Sequence, residues 1–179
     1  MDAEDEPVQK AAPLNIQSKN PGKSVIERYY TQLYSINDNR GDQYVYKHLN
    51  GLFVIGLAST HEIFSDQSIS ISKVNFDVGG RSRLDNVVHG KGKKGGIRLK
   101  PEEPLCQVTT SDDKVHIIRS CVAGSLLEVN EKLLTDPKLL KEKGDVEGWV
   151  AIIQPKFSEK DKIDHLNSLE QYKSARGLE

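Results

Sequence analysis

Four sets of residues in this chain are of types that carry chemistry: five histidines, two cysteines, a glycine–lysine run and a lysine in an acidic turn. The histidines His48, His61, His89, His116 and His165 are scattered. None stands at metal-ligand spacing from a partner, and His61-Glu62 lacks the second histidine of a zinc-protease helix. They read as surface or half-buried side chains. Gly90-Lys91-Gly92-Lys93-Lys94-Gly95 matches the letters of a dinucleotide-binding turn. That turn works only when a helix leaves it and aims its N-terminus at the pyrophosphate. Here the exit is GIRLKPEEP, where Pro101 and Pro104 forbid a helix of useful length. No serine stands in a nucleophile elbow. A catalytic thiol at Cys106 or Cys121 needs a base that the sequence does not identify. That leaves Lys114, whose role depends on where it stands in its turn.

The turn lies in VTTSDDKVHII, Val108 to Ile118, among a series of short elements. Residues 1–23 are polar, contain three prolines and show no hydrophobic period, which predicts a disordered arm. Ser24 then starts a helix over VIERYYTQLY, with Glu27 completing a capping box. Between YVYKHL and LFVIGLA, Asn50-Gly51 predicts a two-residue hairpin turn, because both positions can take φ > 0. SISISKVNFDV alternates, with a phase slip near Val74 that suits a bulge. LDNVVHG, LCQVTT, KVHIIRS, SLLEVN and WVAIIQP supply further short strands, punctuated by glycine and proline. EKLLTDPKLLKEK is helical in character and broken by Pro137. Trp149 enters the last strand, with its ring expected against Leu126 and Val129. After Phe157, residues 158–179 carry Ile163, Leu166 and Leu169 as a thin stripe, which predicts a solvated, partly helical tail. Many short strands with turns between them predict one β-rich barrel or sandwich over residues 24–157.

Composition narrows the setting. The formal net charge of −1 over 179 residues gives the whole molecule no bias toward polyanions or polycations, so any charge argument must be local. The start, MDAEDEPVQK, is acidic and lacks an apolar stretch, so no signal peptide is expected. The longest apolar run, Leu52–Ala58, is far short of the ~20 residues that span a bilayer. Two cysteines without an export signal suggest reduced thiols in the cytosol or nucleus. With a hairpin tip near Asp113–Lys114 the two fall roughly opposite each other, which makes a disulfide geometrically conceivable. Two small apolar side chains filling a core is the reading that suits a reducing compartment.

Ser120 to Trp149, SCVAGSLLEVNEKLLTDPKLLKEKGDVEGW, resembles the second half of a lipoyl-carrier domain of the glycine-cleavage H-protein type. Such domains hold one lysine at the outermost position of the preceding hairpin. Counting back from Gly124 puts that position on Asp113, and counting forward from Val108 puts it on Asp112. Neither register reaches Lys114, and Thr109-Thr110 replace the acidic residue expected before the lysine. The scaffold is kept and the carrier chemistry is absent. VIERYY, GLFVIGLASTHEIF, the PLC of Pro104–Cys106, SCVAGSLLEVNEKLL and EGWVAIIQPKF occur in order from Ser24 to Phe157. Together they resemble the Abitram (Simiate) family of actin-binding transcription modulators, a distant relative of the H-protein.

The resemblance implies a fold that is mainly β with minor α, the barrel-sandwich hybrid of lipoyl and biotinyl domains with an N-terminal helix. It implies a non-enzymatic protein with no cofactor, metal or catalytic residue. Its partners would be actin, as monomer or filament, and transcription-associated proteins, with no membrane. Through them it would modulate actin polymerisation and the growth of filopodia and dendrites, with a nuclear role in transcription. The implied locations are nuclear speckles and the cytoplasm, including growth cones and dendrites. Two alternatives stand beside it: a lipoyl carrier of the glycine-cleavage type, and a nucleic-acid-binding module. No actin-contact residues come with the resemblance, so the candidate partner site is read from charge. Residues 81–100 hold Arg81, Arg83, Lys91, Lys93, Lys94, Arg98 and Lys100 against one acid, Asp85. No aromatic side chain stands among them to stack on bases, which favours a protein surface over nucleic acid.

Overall fold

The computed structural model describes residues 22–39, 41–86, 96–159 and 161–179. A short helix α1 (Val25–Tyr29) leads directly into strand β1 (Tyr30–Ser35), followed by the hairpin of β2 (Gln43–His48) and β3 (Phe53–Leu57). A 3-10 turn (Glu62–Phe64) precedes β4 (Ile71–Asn75), and the small hairpin of β5 (Asp77–Val78) and β6 (Arg81–Ser82) follows. Strand β7 (Arg98–Leu99) comes before the hairpin of β8 (Pro104–Thr110) and β9 (Val115–Arg119). Next are β10 (Gly124–Val129), the short helices α2 (Lys132–Thr135) and α3 (Leu139–Glu142), and β11 (Ala151–Gln154). The chain closes with β12 (Asn167–Ser168) and α4 (Leu169–Arg176).

The strands form a seven-stranded sheet in the order β12-β1-β2-β3-β11-β10-β7 and a three-stranded sheet β4-β8-β9. Pairing aligns Leu33, Val45, Ile55, Ala151 and Val129 in one row across the larger sheet. All five belong to the main core, with Val74, Leu105, Cys106, Val108 and Ile118 from the smaller sheet. The two layers enclose one apolar interior, which is the predicted hybrid of barrel and sandwich. Gln43, itself buried, ties the layers together. Its amide donates to the Arg119 carbonyl (2.8 Å) and accepts from the Arg119 N–H (2.9 Å). Both cysteines are free and buried, and the ladder pairs Cys106 with Ile118 rather than with Cys121.

Several expectations are corrected by pairing. The capping box of Ser24 and Glu27 is present, but the helix ends at Tyr29. Residues 30–35 form β1 instead, because they pair in continuous register with all of β2, and alternation serves Leu33 inward and Tyr34 outward. The hairpin at Asn50-Gly51 has a three-residue loop, closed by the His48 N–H on the Leu52 carbonyl (2.9 Å). Only Gly51 takes positive φ (88°), while Asn50 accepts from the Leu52 N–H. The register slip in β4 lies between Ile71 and Lys73, ahead of Val74. Trp149 precedes β11 and is half-buried, lining a groove with Tyr46 and Ile152. Val150, fully buried, holds the interior position instead.

Residues 158–179 are not a solvated tail. Strand β12 pairs with β1, and α4 has its own capping box of Ser168 and Gln171. Tyr172 of α4 is 2% exposed and stacks on Tyr34, with ring centroids 3.9 Å apart. Arg176 reaches the carboxylate of Asp42, a side chain with no exposure, through Nε (2.6 Å) and Nη2 (2.7 Å). That carboxylate also accepts from the Asn37 N–H (2.8 Å) and the Thr60 hydroxyl (2.6 Å). Burial opposes its charge most strongly, but Arg176, Asn37 and Thr60 together outweigh burial and hold the carboxyl below its ordinary range.

The outer face of the larger sheet is aromatic. Tyr34, Tyr44 and Tyr46 form a second cluster with Tyr172, and the Tyr44 and Tyr46 rings stack at 4.2 Å. Tyr44 pairs across the ladder with Gly56, and a Cβ there would stand 2.2 Å from the Tyr44 ring. Only glycine lets that ring cross the neighbouring strand and donate its hydroxyl to the Gly144 carbonyl (2.8 Å). Two outcomes follow from these contacts. Gly56→Ala is expected to lose about 2 kcal/mol in a urea melt, the cost of overpacking. Arg176→Ala is expected to lose about 3 kcal/mol, the lower end for a broken buried pair because Thr60 and Asn37 still bind the carboxylate.

Candidate functional site

The β8–β9 hairpin is the element on which a carrier lysine would have to stand. Its ladder ends at the pair Thr109–Val115, and the Thr110 N–H then donates to the Lys114 carbonyl (3.0 Å). The loop beyond is Ser111-Asp112-Asp113, closed by the Asp113 N–H on the Thr110 carbonyl (3.0 Å) with Asp113 at φ 61°. Both counts for the carrier position therefore land on loop residues, while Lys114 stands at the foot of the loop. Asp112 also restrains it: one carboxylate oxygen accepts from the Thr110 hydroxyl (2.6 Å) and the other contacts the Lys114 ammonium (2.9 Å). Those two hydrogen bonds, Thr110's first, push the Asp112 carboxyl down to about 2. The same pairing raises the Lys114 amine, the opposite of what an amine nucleophile needs.

Behind the hairpin, the adjacent pair His61 and Glu62 meets the distant His116. His116 Nδ1 lies 2.9 Å from Glu62 Oε1, and the His61 and His116 rings are 5.7 Å apart. His61 Nδ1 is occupied by the Ile63 N–H (3.2 Å), so it caps the 3-10 turn rather than facing a ligand. Among the described residues, no group of His, Cys, Asp and Glu side chains is arranged to hold a metal ion. No described helix is long and apolar enough to cross a membrane.

The basic segment divides. Arg81, Arg98 and Lys100 are exposed, the first on β6, the second on β7 and the third just past β7. Lys91, Lys93 and Lys94 lie outside the described residues, as does the predicted strand beyond Asn86. The ends of that stretch are anchored, because Asn86 donates to the Leu126 carbonyl (2.9 Å) and accepts from the Ile97 N–H (2.8 Å). Arg83 departs from the predicted cluster. It is 4% exposed, with Nε and Nη2 both on the Pro104 carbonyl (3.1 and 2.9 Å). Burial lowers its pKa, and its role is to hold the start of β8. Sequence reasoning also missed the aromatic outer face, whose tyrosines alternate through β1 and β2 as plainly as its inner residues do.

The two-layered fold with its β8–β9 hairpin is that of the lipoyl-like, H-protein class of domains. The family model described as "Glycine cleavage H-protein" matches residues 58–176. A solved glycine cleavage system H protein from Mycobacterium marinum superposes with a TM-score of 0.58 at 16% identity, over 83% of this chain and 98% of that one. At that identity the likeness speaks for the fold alone. Within the class, "Protein Abitram" of Danio rerio is 43% identical, covering 83% of this chain and 86% of the relative. The Dictyostelium discoideum relative of that name is 38% identical (77% and 79% covered), and the Homo sapiens relative 37% (78% and 79%). The chain belongs to the Abitram family.

Two measurements check this geometry. Lys114→Arg is expected to leave the urea midpoint unchanged, and intact mass from lipoylating cells should show no lipoyl adduct on Lys114. His61 is pushed down to about 4, by burial first and by His116 second. It stays neutral in the folded chain where an unfolded histidine would take a proton below ~6.5. Stability is then full above that pH and falls as pH drops toward about 4, by up to roughly 3 kcal/mol. The share of Asp42 is lost at lower pH, because its folded carboxyl is depressed. His61→Asn should flatten the upper part of the pH–stability curve.

Proposed function

We propose that this chain is a non-enzymatic actin-binding regulator that modulates actin polymerisation and the growth of cell projections, with a second role in transcription. The observation that carries the reading is the loop Ser111-Asp112-Asp113: the apex of the carrier hairpin holds no lysine, and Lys114 beside it is paired to Asp112. A carrier scaffold without its attachment point acts through its surface. The resemblance to the actin-binding transcription modulators supplies the partner class. The same resemblance supports residence in nuclear speckles and in the cytoplasm, including growth cones and dendrites.

Charge supports the place of contact. Actin filaments are polyanionic, and a local basic cluster steers toward them even when net charge is near zero. With Arg83 engaged by Pro104, the candidate set is the exposed Arg81, Arg98 and Lys100, with Lys91, Lys93 and Lys94, which lie outside the described residues. The protein, freed of nucleic acid, is expected to co-sediment with actin filaments. Binding should weaken as salt shortens the Debye length from ~10 Å at 0.1 M to ~3 Å at 1 M. Reversing Lys91, Lys93 and Lys94 to Glu should weaken it further while thermal stability is unchanged. Absence of the protein from the actin pellet at low salt overturns the reading. Binding indifferent to both salt and charge reversal moves the contact elsewhere.

A further inference from the structure

A strand at the rim of a sheet is a template for another strand unless something blunts it. Among the described strands most rims are blunted. The larger sheet ends in β12 and β7, each two residues long. In the smaller sheet, β4 carries a register slip and the exposed Lys73. Strand β9 is the exception. Its residues Val115–Ile118 hold unbroken register with β8, and Val115 and Ile117 are 55% and 39% exposed.

Alternation fixes which backbone groups of β9 stay open. The Lys114 carbonyl faces the Thr110 N–H across the hairpin, so His116 and Ile118 face β8 as well. The odd-numbered residues turn their backbone groups outward. At Arg119 the Gln43 side chain fills that outward rung, accepting from the N–H and donating to the carbonyl as a neighbouring strand would. The outward N–H and C=O groups of Val115 and Ile117 have no partner among the described residues.

We infer that this edge pairs with β9 of a second copy of the chain, antiparallel about a twofold axis at His116. In that register Val115 of each copy meets Ile117 of the other, and each pair exchanges two hydrogen bonds. Centred on Ile117 instead, the pairing would set Val115 against an Arg119 rung that Gln43 already fills. Charge agrees with the choice. The same register brings Asp113 opposite Arg119 of the other copy. Asp113 is exposed, and its carboxylate has no ion-pair partner among the described residues. Arg119 gives Nη1 to the Glu102 carbonyl (2.6 Å) and keeps further N–H donors. A groove of about 260 Å³ at this end of β9, lined by Asn37, Gln43, Glu102, Ile117, Arg119 and His165, seats the loop of the other copy. The pairing stands apart from the actin reading, because it uses none of the basic residues between Arg81 and Lys100.

One short strand and a loop make a contact at the small end for specific interfaces, so the dimer is weak. Sedimentation velocity of the full chain from about 1 μM to about 1 mM is expected to show monomer passing into dimer. Ile117→Lys, a charge of the kind that guards natural edges, should leave a monomer throughout, with a melting temperature close to the parent's. Asp113→Asn, which tolerates the same positive φ, should weaken association roughly threefold, the scale of an exposed ion pair. Disulfides read the register, since paired residues stand ~5.5 Å apart at Cα, within the reach of a disulfide. Under mild oxidation a mixture of Val115→Cys and Ile117→Cys chains should cross-link, and neither variant alone should. The native cysteines are buried and do not compete. A monomer at every concentration overturns the inference and leaves the edge to a strand of a different protein. A dimer that survives Ile117→Lys also overturns it, as does Asp113→Asn associating like the parent. Val115→Cys cross-linking alone as readily as the mixture overturns the register and the twofold with it.

Discussion

A carboxylate with no contact with solvent has to be compensated where it stands, and the compensation of Asp42 draws together four separated stretches of chain. The carboxylate itself stands just before β2, the Asn37 N–H comes from the turn after β1, and the Thr60 hydroxyl from the turn after β3. Arg176 comes from the last helix, 134 residues along the chain from its partner. Such a pair adds little net stability over an apolar replacement, but losing one member leaves a charge stranded. Its effect is therefore on arrangement. With Arg176 seated, Tyr172 lies on Tyr34 and β12 lies along β1, so the final residues become part of the domain. The Tyr172 hydroxyl, in contact with the Thr60 hydroxyl (2.9 Å), joins the same network.

The hairpin shows how a scaffold can outlast its chemistry. The β2–β3 and β8–β9 hairpins both turn through three-residue loops whose third residue takes positive φ, Gly51 in one and Asp113 in the other. Asp113 tolerates that conformation better than most non-glycine residues. The loop geometry is thus satisfied by acidic residues, and Asp112 is free to accept from Thr110 and Lys114. A swinging arm needs an unrestrained attachment point at the apex. Here the apex side chain is the restraint.

Much of this was legible in the sequence where a signal was local. The Ser24–Glu27 box, the break at Pro137 and the strand series from Leu105 to Pro155 needed only neighbours to be read. The end of α1 was not legible, because VIERYYTQLY satisfies a helical period and a strand alternation equally, and the choice is made by β2. Trp149 failed for a related reason: one residue of register decides whether it or Val150 faces inward. The last helix had local signals that the thin apolar stripe obscured, namely Ser168 with Gln171 at its start and Gly177 at its end. Its docking was out of reach, since Asp42 and Tyr34 are distant in sequence. Arg83 and Arg81 are two residues apart and equally basic, and only the carbonyl of Pro104 separates their roles.

The two buried cysteines make the chain its own clock. An alkylating reagent attacks the thiolate, and burial disfavours that form at both sites, pushing the Cys121 thiol up to about 11 and that of Cys106 up as well. Under native conditions, modification must wait for the surrounding structure to open, so its rate counts openings. The two sites count different events. Cys106 lies within β8 with no exposure and becomes reachable when the sandwich itself separates. Cys121 is covered in part by the C-terminal segment, where His165 Nε2 meets its carbonyl at 2.7 Å, and answers to a smaller, local release.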